Sequence, residues 1–263
     1  MIYYRKKLLS KIAEIWYNYN EKPNKKIDVL RYKFVEQKNK IMFSFEELYT
    51  ILIDLLASED ELSSCIKKNT RYEINRAKNK DGIICENLLE PGKNNPEAVE
   101  KYIKYYNDFA HSKNRSDLLF GDIEQFIGAK NYCIRYARKE NEIITMHAYV
   151  ISDNTARLQQ SCSLFRNSSD PEYKNMVARA NRLLHWEDII YFKNMGLPIY
   201  DLGGWYGGNI NKEQLLINQF KESFGGIKKK EYSYIVPVSF FGYVSVLIHS
   251  CLQFFYGIFK YIK

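Results

Sequence analysis

The sequence predicts an α+β fold in which helices pack on a mixed, largely antiparallel sheet and a hydrophobic helix follows at the C-terminal end. Three observations carry this. From Tyr132 the apolar residues recur at a period of two through "YCIRYARK", "EIITMHAYVIS" and "TARLQQSCSLF", with turns at "KENE" and "SDN", which is the pattern of a three-stranded antiparallel meander. On either side of it lie segments of helical periodicity with recognisable start and stop residues. From Tyr234 to Phe259 there is no charged residue.

Taken in order, residues 1 to about 22 read as an amphipathic helix with Leu8, Leu9, Ile12, Ile15 and Trp16 on one side, stopped by Pro23-Asn24. "IDVLRYKFV" and "ELYTILIDL" are β-branched and aromatic enough for strands. Ser58 opens a helix with acids in its first turn and bases toward its end, and Gly82 stops it before a strand at "IICENL". Asn95 with Pro96 opens a second helix and "DLLFGDIEQFIGAKN" makes a third. After the meander come a long helix "PEYKNMVARANRLLHWEDIIYFKNMG", a strand "PIYDLGG", a helix "NKEQLLINQFKESFGG" and a last strand "KKEYSYIVPVS".

The bulk properties narrow the function. With 46% apolar and 27% charged residues, a chain of 263 residues can bury an ordinary core. The net charge of +8 would suit phosphates, but the lysines are scattered along the sequence rather than gathered in one basic arm, so nucleic-acid binding is weakly indicated. The five cysteines are isolated, with no metal-ligand spacing, and read as reduced and mostly buried. No metal is expected. The N-terminus lacks an apolar signal core and a cleavage site, so a cytoplasmic location is expected. In the last segment Gly242, Ser245, His249, Gln253, Gly257 and Lys260 recur every three or four residues. That narrow polar stripe suits a helix lying on the inner face of a membrane, or one closing a core or a dimer interface, better than a lone span. Ser-His-Asp, H-E-x-x-H and G-x-x-x-x-G-K motifs are absent, which removes the common hydrolase, zincin and nucleotidase readings.

Two spaced motifs carry a resemblance. A strand ends in Asp201, Gly203 and Gly204, and the next helix carries Phe220, Lys221, Phe224, Gly225 and Gly226; upstream, Arg71, Ile74, Arg76, Ala77, Lys78 and Gly82 form an Arg-rich helix that ends in glycine. In this order they resemble the Fem-type branch of the GNAT acyltransferases, which includes the peptidoglycan-bridge aminoacyl transferases, over about Leu52 to Val238. The resemblance implies central strands that splay apart around an acyl donor and an amine acceptor. It also implies three segments: 1–50 as the remnant of a first GNAT-like subdomain, 51–238 as the acyltransferase domain, and 239–263 as the hydrophobic helix. One departure stands out: where acetyl-CoA enzymes carry a Q/R-x-x-G-x-G/A loop, this chain has "SCSLFRNSSDPEYKNM", with no glycine.

The activity implied is N-acyl transfer from an acyl-CoA-type donor to an amine, with an amino sugar of a nucleotide- or lipid-linked envelope glycan as acceptor. Aminoacyl-tRNA as donor is the alternative, and a catalytically inactive binding module is the alternative from another class. Within the motifs, Lys221 is expected to face the acceptor or its phosphates, and Asp201 to orient the amine or to cap the glycine turn. His147, on the middle strand of the meander, is the expected general base, on one sheet face with Thr145 and Tyr149 on the other. Arg182 and His185 share a helix face and suit an anionic substrate, with Trp186 placed to stack on a sugar. The glycine segment Gly203, Gly204, Trp205 and Tyr206 would let backbone approach the ligand. Arg71 and Arg76 either bind phosphate or complement the end of their helix.

Overall fold

A computed structural model describes residues 1–7, 10–18, 20–37, 43–165 and 168–261; within these, the side chains of Lys7, His249 and residues 252–261 lie outside the description. The chain divides into two compact units, a terminal unit of Met1–Tyr49 with Lys230–Lys263 and a central unit of Thr50–Lys229.

In the terminal unit Ile2–Lys7 and Ser10–Trp16 form strands β1 and β2, not the amphipathic helix expected of residues 1 to about 22, and pair antiparallel from Ile2 opposite Ile15 to Lys7 opposite Ser10. Leu8 and Leu9, two of the residues assigned to that helix's apolar side, lie outside the described residues. The helical spacing is overridden because Ile15 and Trp16 bury their side chains against neighbouring strands, and tertiary context outweighs local propensity. β2 runs parallel to β3 (Val29–Val35), and β3 pairs antiparallel with β10 (Ile227–Pro237). Strand order here is β1-β2-β3-β10-β4, the last being the first half of β4 (Ser44–Asp54). Ile15, Tyr32, Val35 and Tyr234 make a small core, in which the Tyr32 and Tyr234 rings stack 4.7 Å apart. The hydrophobic helix is α7 (Phe240–Tyr261), tied to the sheet through Ser239, whose hydroxyl donates to the Asp28 carboxylate at 2.6 Å. No helix among the described residues is long and apolar enough to cross a membrane.

In the central unit the strand order is β4-β9-β8-β7-β6-β5, with β5 (Ile83–Leu89), β6 (Tyr132–Lys139), β7 (Glu142–Ile151), β8 (Thr155–Ser163) and β9 (Ile199–Trp205). β5 to β8 are antiparallel and β8 is parallel to β9. The segment expected as one helix after Ser58 is two, α1 (Glu59–Cys65) and α2 (Lys68–Asn79). Ser58 and Glu61 form a reciprocal capping box on α1, and the Arg71 guanidinium donates to three carbonyls, Ser63, Ser64 and Ile66, at the turn between the helices. Each remaining helix has a capping contact at its start, and the one at Asn95 is as expected. Asn95 caps α3 (Pro96–Ser112), Asp170 caps α5 (Pro171–Asn194) and Asn211 caps α6 (Lys212–Glu222), while Asp122 in α4 (Phe120–Gly128) accepts from the Leu119 amide.

Helices cover both faces of this sheet. His147 on β7 reaches Asn181 and Asp188 of α5, whereas Gln160 on β8 accepts from Tyr102 of α3. Of the cysteines, Cys133 and Cys162 are buried, but Cys65 and Cys251 are exposed, against the expectation that most are buried.

Candidate active site

The strands part where the resemblance implies. β8 and β9 are in register only from Thr155–Ile199 to Arg157–Asp201, although both continue beyond those pairs. At the point of parting Gly203 has φ +71°, and a Cβ there would meet the Leu158 carbonyl oxygen at 2.7 Å, so glycine is required for both its conformation and its clearance. Gly204, by contrast, has open space where a Cβ would go.

Asp201 organises this turn. Its carboxylate accepts from the Gly203 amide at 2.8 Å, from the Thr50 hydroxyl and from the Arg157 guanidinium, all of it buried. Both carboxylate oxygens are thus engaged by the protein, and a buried carboxylate with three donors is a structural anchor. Its geometry is the capping one. The Thr50 hydroxyl oxygen is also 2.9 Å from the Gly203 carbonyl oxygen, so its one hydrogen is shared between the two acceptors and β4 is tied to the same turn.

Lys221 follows from α6 and donates its ammonium to the Gly204 carbonyl at 2.6 Å. The side chain is half-buried. Burial pushes its ammonium down from the usual 10.5 to about 8; the Asp201 carboxylate opposes the shift and Arg157 reinforces it. A lysine with that pKa and a solvent edge can exchange a proton near neutral pH. Trp205 donates its indole N–H to Glu222 at 2.8 Å and has the Lys228 ammonium 3.7 Å from its ring centre. Tyr206 is fixed through its backbone, whose N–H and carbonyl both bond the Asn218 side-chain amide at 2.8 Å.

Beneath these lies a polar network that the helix α5 brings onto β7. His147 is fully buried, with Nδ1 2.7 Å from Asp188 and Nε2 2.8 Å from the side-chain oxygen of Asn181. Thr145, His147 and Tyr149 share one sheet face, correcting the expected placement of Thr145 and Tyr149 on the other: side chains alternate along a strand, so residues two apart point the same way. Thr145 accordingly reaches Asn181 at 3.3 Å and the Tyr149 hydroxyl lies 3.2 Å from His147 Nδ1. Asp188 also accepts from Arg135 and Tyr149. Burial works against its ionisation, but the Arg135 charge and the His147 and Tyr149 contacts outweigh that and hold the carboxyl below its ordinary range.

His185 lies beside His147, the ring centres 4.2 Å apart and the planes tilted by 43°, and its Nδ1 is 2.9 Å from the Tyr200 hydroxyl. Burial, reinforced by the nearby Lys221 and Arg182 charges, holds His185 well below 6.5, so it is neutral. It is walled by Phe220 and Phe224. Arg182 sits 5.2 Å above the Phe220 ring and 3.0 Å from Glu73, which already satisfies part of its charge. Trp186 is half-buried and packs against the core.

The expected residues therefore separate. His147, His185, Asp201, Gly203, Gly204, Lys221 and Arg182 converge on the parting strands. Arg71 is occupied at the α1–α2 turn and Arg76 stands half-buried on α2. Sequence reasoning missed Asp188, Arg135, Tyr149, Tyr200, Asn181, Arg157 and Thr50. Asn181 and Asp188 stand beside Arg182 and His185 in "NRLLHWED", Tyr149 is two residues from His147 and Tyr200 adjoins Asp201, whereas Arg135, Arg157 and Thr50 come from strands distant in sequence. Among the described residues no group of His, Cys, Asp or Glu could hold a metal ion.

No family model matches the chain, and no curated protein matches it. Solved structures do. FemX matches with a TM-score of 0.63 and 10% identity, covering 89% of this chain and 84% of that one. The C-terminal domain (DUF2156) of a protein from Agrobacterium fabrum assigned as a lysylphosphatidylglycerol synthetase matches with a TM-score of 0.56 and 13% identity, covering 95% and 85%. The chain therefore shares the fold of FemX and of this DUF2156 domain.

Proposed function

We propose that the chain is an acyltransferase that forms an amide on an amine, with an amino sugar of a nucleotide- or lipid-linked envelope glycan precursor as acceptor and an acyl-CoA-type thioester as donor. The observation that carries this reading is the parting of β8 and β9 beside a half-buried lysine of lowered pKa. In the step proposed, the acceptor nitrogen attacks the donor's carbonyl carbon and the new C–N bond forms. The nitrogen's proton passes to the free-amine form of Lys221, and the C–S bond breaks with its electrons leaving on sulfur, which ends protonated. Holding both reactants between the strands supplies orientation. His147, with both ring nitrogens occupied and no exposed surface, acts in this reading by positioning Asn181 and Asp188, and Asp201 by holding the Gly203 turn. Residues 239–263 would place the enzyme against the inner face of a membrane.

A second donor is favoured by a specific observation. The helix after β8, where a CoA diphosphate would be expected to sit, begins with Asp170 bonded to the Glu172 amide at 2.8 Å, so two carboxylates occupy its first turn and one of its donors is already used. Aminoacyl-tRNA, in which the breaking bond is C–O, is the donor that avoids this conflict. Intact-mass analysis of an amino-sugar acceptor incubated with acyl-CoA, and separately with charged tRNA, decides between them. If neither donor is consumed, and envelope glycan from cells carrying Lys221→Met keeps its mass, the chain is a non-catalytic binding module.

A further inference from the structure

A second binding site lies in the terminal unit. A cavity of about 450 Å³ opens beneath α7, a volume within the range of ligand pockets. Tyr32, Phe45, Leu48 and Val246 are among its apolar walls, Arg31 and Lys33 supply its cations, and Glu46 is the one acid lining it. Arg31 and Lys33 both lie 3.9 Å from the buried Glu14, which Arg5 also approaches at 3.3 Å, so three cations stand around one carboxylate.

The surroundings point the same way. The terminal unit holds 14 Lys and Arg against 7 Asp and Glu, which is +7 of the chain's +8. The basic residues are spread over both units, but the acids that balance them are sparse in this third of the chain, so the net charge gathers there. Beside the cavity, α7 exposes Phe240, Phe241, Tyr243, Leu247 and Ile248. An RNA partner would use the charge and leave this apolar row uncovered; an anionic amphiphile uses both.

We propose that the cavity beneath α7 holds an acyl chain of an anionic phospholipid, with its phosphate at Arg31 and Lys33 and the exposed row of α7 lying among neighbouring lipids. The proposal extends the membrane contact of 239–263 to a defined lipid site and needs no catalytic activity.

The full chain is tested by flotation with vesicles of phosphatidylcholine alone and of phosphatidylcholine mixed with phosphatidylglycerol, and by titration with short-chain phosphatidylglycerol below its micelle concentration against glycerol phosphate. Expected are at least about tenfold tighter binding to the anionic vesicles, falling with salt, and saturable binding of the short-chain lipid but not of glycerol phosphate. Ser245→Trp, which fills the cavity from α7, should abolish short-chain lipid binding. Arg31→Gln with Lys33→Gln should cut anionic-vesicle binding about tenfold and leave neutral vesicles unchanged. Since the short-chain titration needs neither a bilayer nor a variant, it separates the cavity from the membrane contact. Equal binding of both vesicle types with no short-chain binding overturns the proposal. So does unimpaired lipid binding by a folded Ser245→Trp, preferential binding of an RNA oligonucleotide, or a dimer that buries α7 in place of lipid.

Discussion

The role proposed for Lys221 was legible only through the motif around it; the lowered pKa it rests on comes from burial. A lysine at its ordinary pKa is almost wholly protonated at pH 7, whereas one near 8 has an appreciable free-amine fraction. As a base it should give a kcat/KM that rises with pH and levels off above about 8. Lys221→Met should lower kcat/KM by roughly 10²- to 10⁴-fold. Lys221→Arg, which keeps the charge but cannot lose its proton, should also remove the rising limb; a rate that instead falls through pH 8 would show that the ammonium is the active form. The folded state binds this proton less readily than the unfolded chain, so the group makes stability rise with pH between about 8 and 10.5. Asp201 should behave differently. Asp201→Ala leaves the Arg157 guanidinium buried without its carboxylate and should cost about 3–5 kcal/mol in denaturant unfolding. Replacing both, as Arg157→Met with Asp201→Leu, should cost less than Asp201→Ala alone. Equal or greater loss in the double variant would mean that the aspartate's bonds to Gly203 and Thr50 dominate.

At the scale of elements, start and stop signals were readable because they depend on short-range chemistry. Asn95 caps the helix it was expected to open, Asp170 and Asn211 cap theirs through the same short-range contact, and Gly196 ends α5 with φ +83°. The N-terminal segment failed for a reason of range. Ile12, Ile15 and Trp16 have helical spacing, but the partners that make them strands are Ile2 opposite Ile15 and Val29 opposite Ile12, and pairing of that kind leaves no trace in local period. The glycines of the β9 turn give a sharp comparison. Gly203→Ala should destabilise by about 1–3 kcal/mol, from its positive φ and the Leu158 carbonyl, and should disturb the parting of β8 and β9. Gly204→Ala, with open space at its Cβ, should change stability by less than about 1 kcal/mol. Thermal unfolding of the two variants checks this, and similar losses would refute the assignment of the strand contact to Gly203.

For the whole molecule, the chain returns to its first unit at the end: β10 supplies Tyr234 to the core of Ile15, Tyr32 and Val35 and pairs along β3. A truncation to residues 1–229 should therefore lose hydrogen-exchange protection in β1 to β3 while the central unit keeps its own. Persisting protection in β3 would show that its pairing with β2 suffices. By itself, the sequence determined the α+β class, the meander, the hydrophobic last helix and the two motifs that mark the fold, because period, caps and glycine spacing are written within a few residues of each other. Tertiary structure alone decided three matters: that His147 is enclosed by Asp188 and Asn181, that Asp201 is occupied by Arg157 and Thr50, and that the excess charge gathers in the terminal unit. Each depends on residues that are distant in sequence and meet only when strands pair and helices cover them. Burial then sets which groups keep their charge and which can touch a ligand.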